Sequence, residues 1–312
     1  MAQRLEEAKS ITHGRLSSMI HDNKDEFLSI LERTAGQTGF SLWLLEKDYY
    51  ITILLDGIHS LSDGLIFKGG TCLSKIYYSY YRLSEDLDFS MKLPAGDVTR
   101  TMRSNLMKPV KDKVRELAKE RGMTVEGIDK AGRNVSKQYV FYIDYGSVVV
   151  EKPQSIKLEI GLRFNPYLPV SKKKVSHTFL HPFTKEPLFD AGSVNCFALK
   201  ELVSEKLRAA ATRLEIAPRD FYDLGHLIKV GFNFNDPEFL QLLKKKLAED
   251  EFDTDLKKYR FNLGRSDKEI SDMDARIEAE LLDVLTLEEK KKFNLAATLK
   301  NINTTLKDMG IA

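Results

Sequence analysis

The run Ser84-Glu85-Asp86-Leu87-Asp88-Phe89 restricts the fold of this chain more than any other stretch. Side chains alternate across an extended strand, so Asp86 and Asp88 share one face while Leu87 and Phe89 occupy the other. The apolar pair can then pack on a core and hold two carboxylates side by side. Neighbouring carboxylates repel, and a divalent cation is the usual remedy; hard oxygen ligands suit Mg²⁺ or Mn²⁺. A D-x-D on an amphipathic strand is, on its own, more often a solvated face.

Context changes that balance. Upstream stands Phe67-Lys68-Gly69-Gly70-Thr71, which reads as a strand, two glycines and the start of a helix. Glycines let backbone approach a phosphate closely, and a helix N-terminus offers free N–H groups at a positive dipole end. Thr71 fits an N-cap or a hydroxyl on phosphate, although a tight strand-to-helix turn explains Gly-Gly equally well. No G-x-x-x-x-G-K-[ST] is present, so this is not a P-loop. Downstream, Ile156-Lys157-Leu158-Glu159-Ile160 alternates again and sets Lys157 and Glu159 on one face. A third carboxylate on a neighbouring strand would complete a two-metal site; an edge-strand ion pair is the competing explanation.

The rest of the chain supplies a frame. Asn23 with Glu26 resembles a capping box opening a helix that buries Phe27, Ile30 and Leu31 and ends near Gly36. Ser41 fits the cap of a second helix. TCLSKIYYSYYR reads as a third, whose Tyr77, Tyr78, Tyr80 and Tyr81 are candidates for base stacking or core. Asp97 fits the cap of a long helix with Val98, Met102, Leu106, Val110, Val114 and Leu117 on one stripe, and Pro109 is expected to kink or divide it. MTVEGI, QYVFYIDY and SIKLEIGLRF read as strands, residues 161–195 as irregular, and the remainder as helical. The expected fold class is α+β. A nucleotide-binding mixed domain over 1–195 carries a helical N-terminal extension, and a helical domain over 196–312 contributes to the cleft.

Composition mainly excludes. A net charge of +2 permits a nucleic-acid partner without arguing for one. No apolar run long enough to cross a membrane occurs, and MAQRLEEAKS lacks the apolar core of a secretory signal, so a cytoplasmic location without membrane contact is expected. Cys72 and Cys196 lie in apolar contexts that suit buried thiols better than a disulfide or metal pair. His177 and His181 stand in a proline-bearing loop, which speaks against a helical zinc pair, and the basic loop Lys172–Lys174 suits a solvated surface better than contact with an RNA backbone.

Taken in order, FKGGTCLSKIY, RLSEDLDFS, IKLEIG, ALKELVSEKLRA and PRDFYDLGHL, preceded by EKDYYITILLDG, resemble the DNA polymerase β superfamily of nucleotidyltransferases, more closely its AbiEii/AbiGii toxin branch. The resemblance implies a polymerase β-like core and roles for named residues. Lys68, Gly69, Gly70 and Thr71 would hold the nucleotide phosphates, and Asp86 and Asp88 would ligate catalytic Mg²⁺ or Mn²⁺, with Glu159 as third ligand. Lys206 would meet the triphosphate, and Asp223, or alternatively Asp220, would be the acid of the last motif. The interval from Thr71 to Asp86 is longer than usual, and Glu159 stands where much of the superfamily has aspartate. From the residues alone, Lys206 borders an apolar stripe and can snorkel, while Asp220 and Asp223 suit the first turn of a helix begun by Pro218.

The implied activity is transfer of a nucleoside monophosphate from an NTP to an acceptor, with release of pyrophosphate. The resemblance makes the 3′ end of tRNA or another RNA the leading acceptor, and implies a toxin with a separately encoded antitoxin. Alternatives are nucleotidylation of a protein, a nucleotide-binding module without turnover, and a D-x-D glycosyltransferase. The last should show βαβ units before its D-x-D, where helices and one short strand stand instead.

Overall fold

A computed structural model describes residues 19–214, 216–259 and 264–308. The part of the N-terminal helical expectation that falls on residues 1–18 lies outside them. Helix α1 (Lys24–Thr38) begins where the Asn23 side chain accepts from the Glu26 N–H, and it buries Phe27, Ile30 and Leu31. It runs past Gly36 and stops at Gly39, whose φ of 75° supplies the left-handed cap. Helix α2 (Leu42–Gly57) is buried on nearly every side, from Leu44 to Gly57. It therefore shows no polar face and acts as the molecule's central post.

Strand β1 (Leu65–Lys68) leads directly into α3 (Gly69–Cys72), which widens into a π-helical turn over Leu73–Tyr77. The helix expected to continue to Arg82 stops there, because Ser79 and Tyr80 take positive φ values of 42° and 65°. Strand β2 (Asp86–Met91) buries Leu87 and Phe89, as the alternation requires. Helix α4 (Arg100–Glu120) is capped by Thr99 rather than Asp97, runs unbroken through Pro109, and buries Met107, Val110, Val114, Leu117 and Ala118. Met102, assigned to that stripe from sequence, is exposed.

The strands β3 (Thr124–Val125), β4 (Gly132–Arg133), β5 (Gln138–Tyr145) and β6 (Gln154–Gly161) follow. Residues 161–195, read as irregular, contain β7 (Ser171–Lys174) and β8 (Ser193–Cys196). One mixed sheet has the order β3-β5-β6-β2-β1-β8-β7, with β4 on β5. In its central trio, β1 pairs antiparallel with β2, and β2 pairs parallel with β6.

Helices α5 (Leu199–Thr212), α6 (Pro218–Lys229), α7 (Pro237–Ala248), α8 (Asp267–Glu280), α9 (Leu287–Lys292) and α10 (Leu295–Asp308) complete the chain. The Leu83 N–H donates to the Val284 carbonyl (2.9 Å), and the Leu287 N–H donates to that of Gly39 (3.0 Å). Among the described residues, no helix is long and apolar enough to cross a membrane. Both cysteines are free and buried.

Candidate active site

The register of the central strands brings the sequence-predicted residues together. Lys68 lies opposite Asp88 on the β1/β2 ladder, and Asp88 opposite Glu159 on the β2/β6 ladder. Gly69 follows Lys68 at φ +77°. A Cβ there would collide with the Asp88 carboxylate, whose Cβ would lie 3.0 Å and Cγ 3.1 Å away. A Cβ on Gly70 would meet the Arg82 guanidinium at 2.6 Å. The glycines thus do two things: they turn the chain from strand to helix, and they let the Asp-bearing strand press against that turn.

Thr71 holds the contact. Its hydroxyl bonds to Ser84 Oγ (2.8 Å) and to the Asp86 carbonyl, and its side chain is buried. It is not the N-cap, a place taken by Lys68. Thr71 therefore ties the glycine turn to β2 through its hydroxyl.

A cleft of about 180 Å³ is lined by Lys68, Gly69, Asp88, Glu159, Lys206 and Asp220 among others. Lys206 reaches it from α5. Its ammonium lies 2.8 Å from Asp220 and 2.9 Å from Asp223 of α6. Asp223 is fully buried and also receives both Arg82 Nε (2.6 Å) and Nη2 (2.8 Å), plus the Tyr81 hydroxyl (2.8 Å). Burial alone would raise its pKa, but Arg82 and Lys206 outweigh it and hold the carboxyl well below the usual range. The two α6 acids are thus bound into an ion-pair network rather than serving as solvent-facing helix caps.

A second cation chain borders the cleft. Lys68 pairs with Glu205 (3.3 Å), and buried Lys246 of α7 pairs with Glu205 (3.3 Å), Glu201 (2.7 Å) and Glu249 (3.4 Å). Burial pushes Glu205 up, yet Lys68, Lys246 and Arg208 together bring it down to about 2. Sequence reasoning missed Arg82, Ser84, Glu205 and Lys246. The first two sit in the quoted RLSEDLDFS and Glu205 in the quoted ALKELVSEKLRA, so the signal was present without a partner to give it meaning.

The strand acids behave in the opposite way. Burial, followed by the charges of Glu159 and Asp86, pushes Asp88 up to about 6; burial also raises Asp86. That is the electrostatic mark of carboxylates short of a positive charge, and two hard oxygen donors on one strand face fit a divalent cation. Glu159 stands beside them, but its carboxylate lies 2.7 Å from Lys157. Among the described residues, no three His, Cys, Asp or Glu side chains converge closely enough to hold a metal. By residue type the two aspartates suit a divalent cation, whereas the Glu159 carboxylate is engaged by Lys157.

Other candidates fall away from the cleft. His177 bonds the Phe189 carbonyl (2.8 Å) and stacks on that ring, while His181 Nδ1 accepts from the Thr184 N–H (3.2 Å). The tyrosine run is divided among structural tasks: Tyr77 donates to the Phe197 carbonyl (2.7 Å), Tyr80 to that of Ser176 (2.7 Å) and Tyr81 to Asp223. Lys172–Lys174 form exposed β7.

The chain is similar to a putative nucleotidyltransferase from H. pylori, with 18% identity, TM-score 0.51, and coverage of 86% of this chain and 96% of that one. It is also similar to MenT4, a nucleotidyltransferase toxin from Mycobacterium tuberculosis H37Rv, with 19% identity, TM-score 0.53, and coverage of 90% and 98%. These likenesses speak for the fold, a polymerase β-like core with a mixed sheet flanked by helices. No curated protein matches the sequence. The family model described as the nucleotidyl transferase AbiEii toxin of a type IV toxin–antitoxin system matches residues 53–299. Its span takes in β1, the glycine turn, both strand carboxylates, Lys206 and Asp223, so the chain belongs to the AbiEii family of nucleotidyltransferase toxins.

Proposed function

We propose that the cleft transfers a nucleoside monophosphate from an NTP to the 3′ end of an RNA, foremost a tRNA, with release of pyrophosphate. The observation that carries this reading is the contact between Asp88 and Gly69, with Lys206 facing the same cleft. A triphosphate laid on the Gly69–Gly70 turn meets backbone N–H groups, Lys68 and Lys206, and its α-phosphorus comes to rest by the β2 acids. Asp220 and Asp223 hold the Lys206 ammonium in place and charged. Asp86 and Asp88 would hold Mg²⁺ or Mn²⁺, with Glu159 as candidate third donor. Once bound, such a metal supplies charge neutralisation and a more acidic acceptor hydroxyl.

The balance is simple. The acceptor oxygen forms a bond to the α-phosphorus, the bond from that phosphorus to the bridging oxygen breaks, and the hydroxyl proton passes to a strand carboxylate. Pyrophosphate leaves with the electron pair. Work done by the protein is mainly positioning and charge placement. The family implies a cognate antitoxin, and the cell interior is the compartment in which both substrates occur.

The test is incubation of the purified chain with each α-labelled NTP, Mg²⁺ or Mn²⁺, and tRNA. Label should enter RNA with stoichiometric pyrophosphate. Asp86→Asn and Asp88→Asn should each lower the rate by about a hundredfold or more with the fold intact. Full activity in either variant overturns the site. Label in protein instead of RNA overturns the acceptor, and nucleotide binding without pyrophosphate release overturns turnover.

A further inference from the structure

Beyond Glu159 the catalytic cleft opens into a second, larger groove of about 530 Å³. The two share Lys68, Glu159 and Arg208, and the groove adds Lys137 and Arg163 with the turn at Asn134 and Val135. Four of its lining side chains are basic and one is acidic. The whole chain carries 48 bases against 46 acids, so this local excess is not a general property of the surface.

We propose that this groove binds the phosphodiester backbone of the acceptor's single-stranded end, with Lys137 and Arg163 as phosphate contacts and Asp250 as a clasp that the phosphates displace. The proposal rests on the RNA-acceptor reading above and adds the path along which that acceptor lies. The catalytic cleft already has its anion site at the glycine turn and Lys206. An acceptor hydroxyl must therefore come from elsewhere, and the groove is the basic opening continuous with the acids.

Asp250 makes the groove adjustable. It follows α7, and its carboxylate pairs with Arg163 (2.5 Å) and with Arg208. Two guanidiniums thus lie against one carboxylate, a charge that a phosphate can replace. Arg163 is about half exposed, so a ligand reaches it without unfolding. Lys137 is exposed at the groove wall, with no ion pair among the described residues. Beside it, Asn134, Val135 and Ser136 hold φ values of 49°, 54° and 62°. Left-handed backbone is strained at a non-glycine residue, and Val135 is 65% exposed. The turn thus presents a strained, solvent-facing rim rather than a packed one. Contacts to phosphate alone read no base, so the groove fixes the acceptor's path and leaves sequence choice to other parts.

The test uses the full chain and a fluorescent single-stranded oligoribonucleotide, read by anisotropy across a salt series, with RNA labelling measured in parallel. Arg163→Glu and Lys137→Glu should each weaken binding about tenfold or more. Each should also reduce the slope of log affinity against log salt by about one, while NTP affinity stays unchanged. Asp250→Asn should tighten binding at low salt, and thermal melting of each variant checks the fold. Unchanged affinity and slope in the double charge reversal overturn the groove even if the wild type labels RNA. Loss of NTP affinity along with RNA affinity also overturns it, since the residues would then serve the nucleotide. Wild-type protein that binds the oligonucleotide through these residues but labels only protein sinks the acceptor reading instead.

Discussion

Gly69 is where backbone and chemistry meet. Its φ of +77° alone would cost another residue roughly 1–2 kcal/mol. The larger effect is steric, because a methyl group there runs into the carboxylate of Asp88. Gly69→Ala should therefore lower the melting temperature modestly and the turnover severely, by about a hundredfold, since sub-ångström placement of the acid against the phosphates is lost. Parallel melting curves and pyrophosphate release would check this, and a variant with wild-type turnover would show that Asp88 can move without consequence. The strand alternation made the paired faces of Asp86 and Asp88 legible in the sequence. It could not say that Gly69 must be glycine on account of Asp88, because that requirement arises only from the β1/β2 register.

At the scale of elements, α6 is docked by charge. Its Asp223 takes Arg82 from the loop before β2, Lys206 from α5 and the Tyr81 hydroxyl, and thereby ties three parts of the chain behind the cleft. Removing one partner from a buried pair leaves the other uncompensated, at a cost of about 3–5 kcal/mol. Arg82→Leu should show that loss in urea unfolding. Lys206→Ala should lose clearly less, because Arg82 still covers Asp223 and Arg213 still covers Asp220 (2.7 Å). Its main effect should be on kcat/KM for NTP. Equal destabilisation by the two would mean that Lys206 is a structural lysine only. Periodicity found α5 and α6 because their lengths and apolar positions are local properties. The same logic overextended α3 through Arg82, where the buried pair of Lys75 with Asp48 (2.7 Å) and the positive φ values at Ser79 and Tyr80 override helix-forming residues. It also read Asp220 and Asp223 as dipole-favoured acids; their partners lie on other elements, and a one-dimensional pattern holds no trace of them.

At the scale of the whole molecule, ion pairs cross from the sheet to the helical back over a shared hydrophobic core, and they contribute to its response to acid. Lys246 on α7 is buried against Glu201 and Glu205, and Glu205 also holds Lys68 at the end of β1. Nothing beyond residue 230 signalled this in the sequence, where Lys246 is one of three successive lysines and its burial depends on the fold closing over it. Glu205 has a folded pKa of about 2, below its ordinary 4.5. A carboxyl with a depressed folded pKa stabilises the protein above its unfolded value, and that contribution disappears as pH falls from about 4.5 to about 2. Linkage puts it at about 3 kcal/mol at most, and buried Asp223, held low by Arg82 and Lys206, adds loss in the same direction. Stability in urea should therefore fall steeply on acidification below pH 4.5. Glu205→Gln keeps the side-chain shape but has no charge to lose, so it should be less stable than wild type at neutral pH, with the gap narrowing toward pH 2. A gap that stays constant across that interval would mean that Glu205 contributes packing and hydrogen bonds but not charge. The coupling of the helical back to the cleft through Lys68 would then have to be carried by another residue.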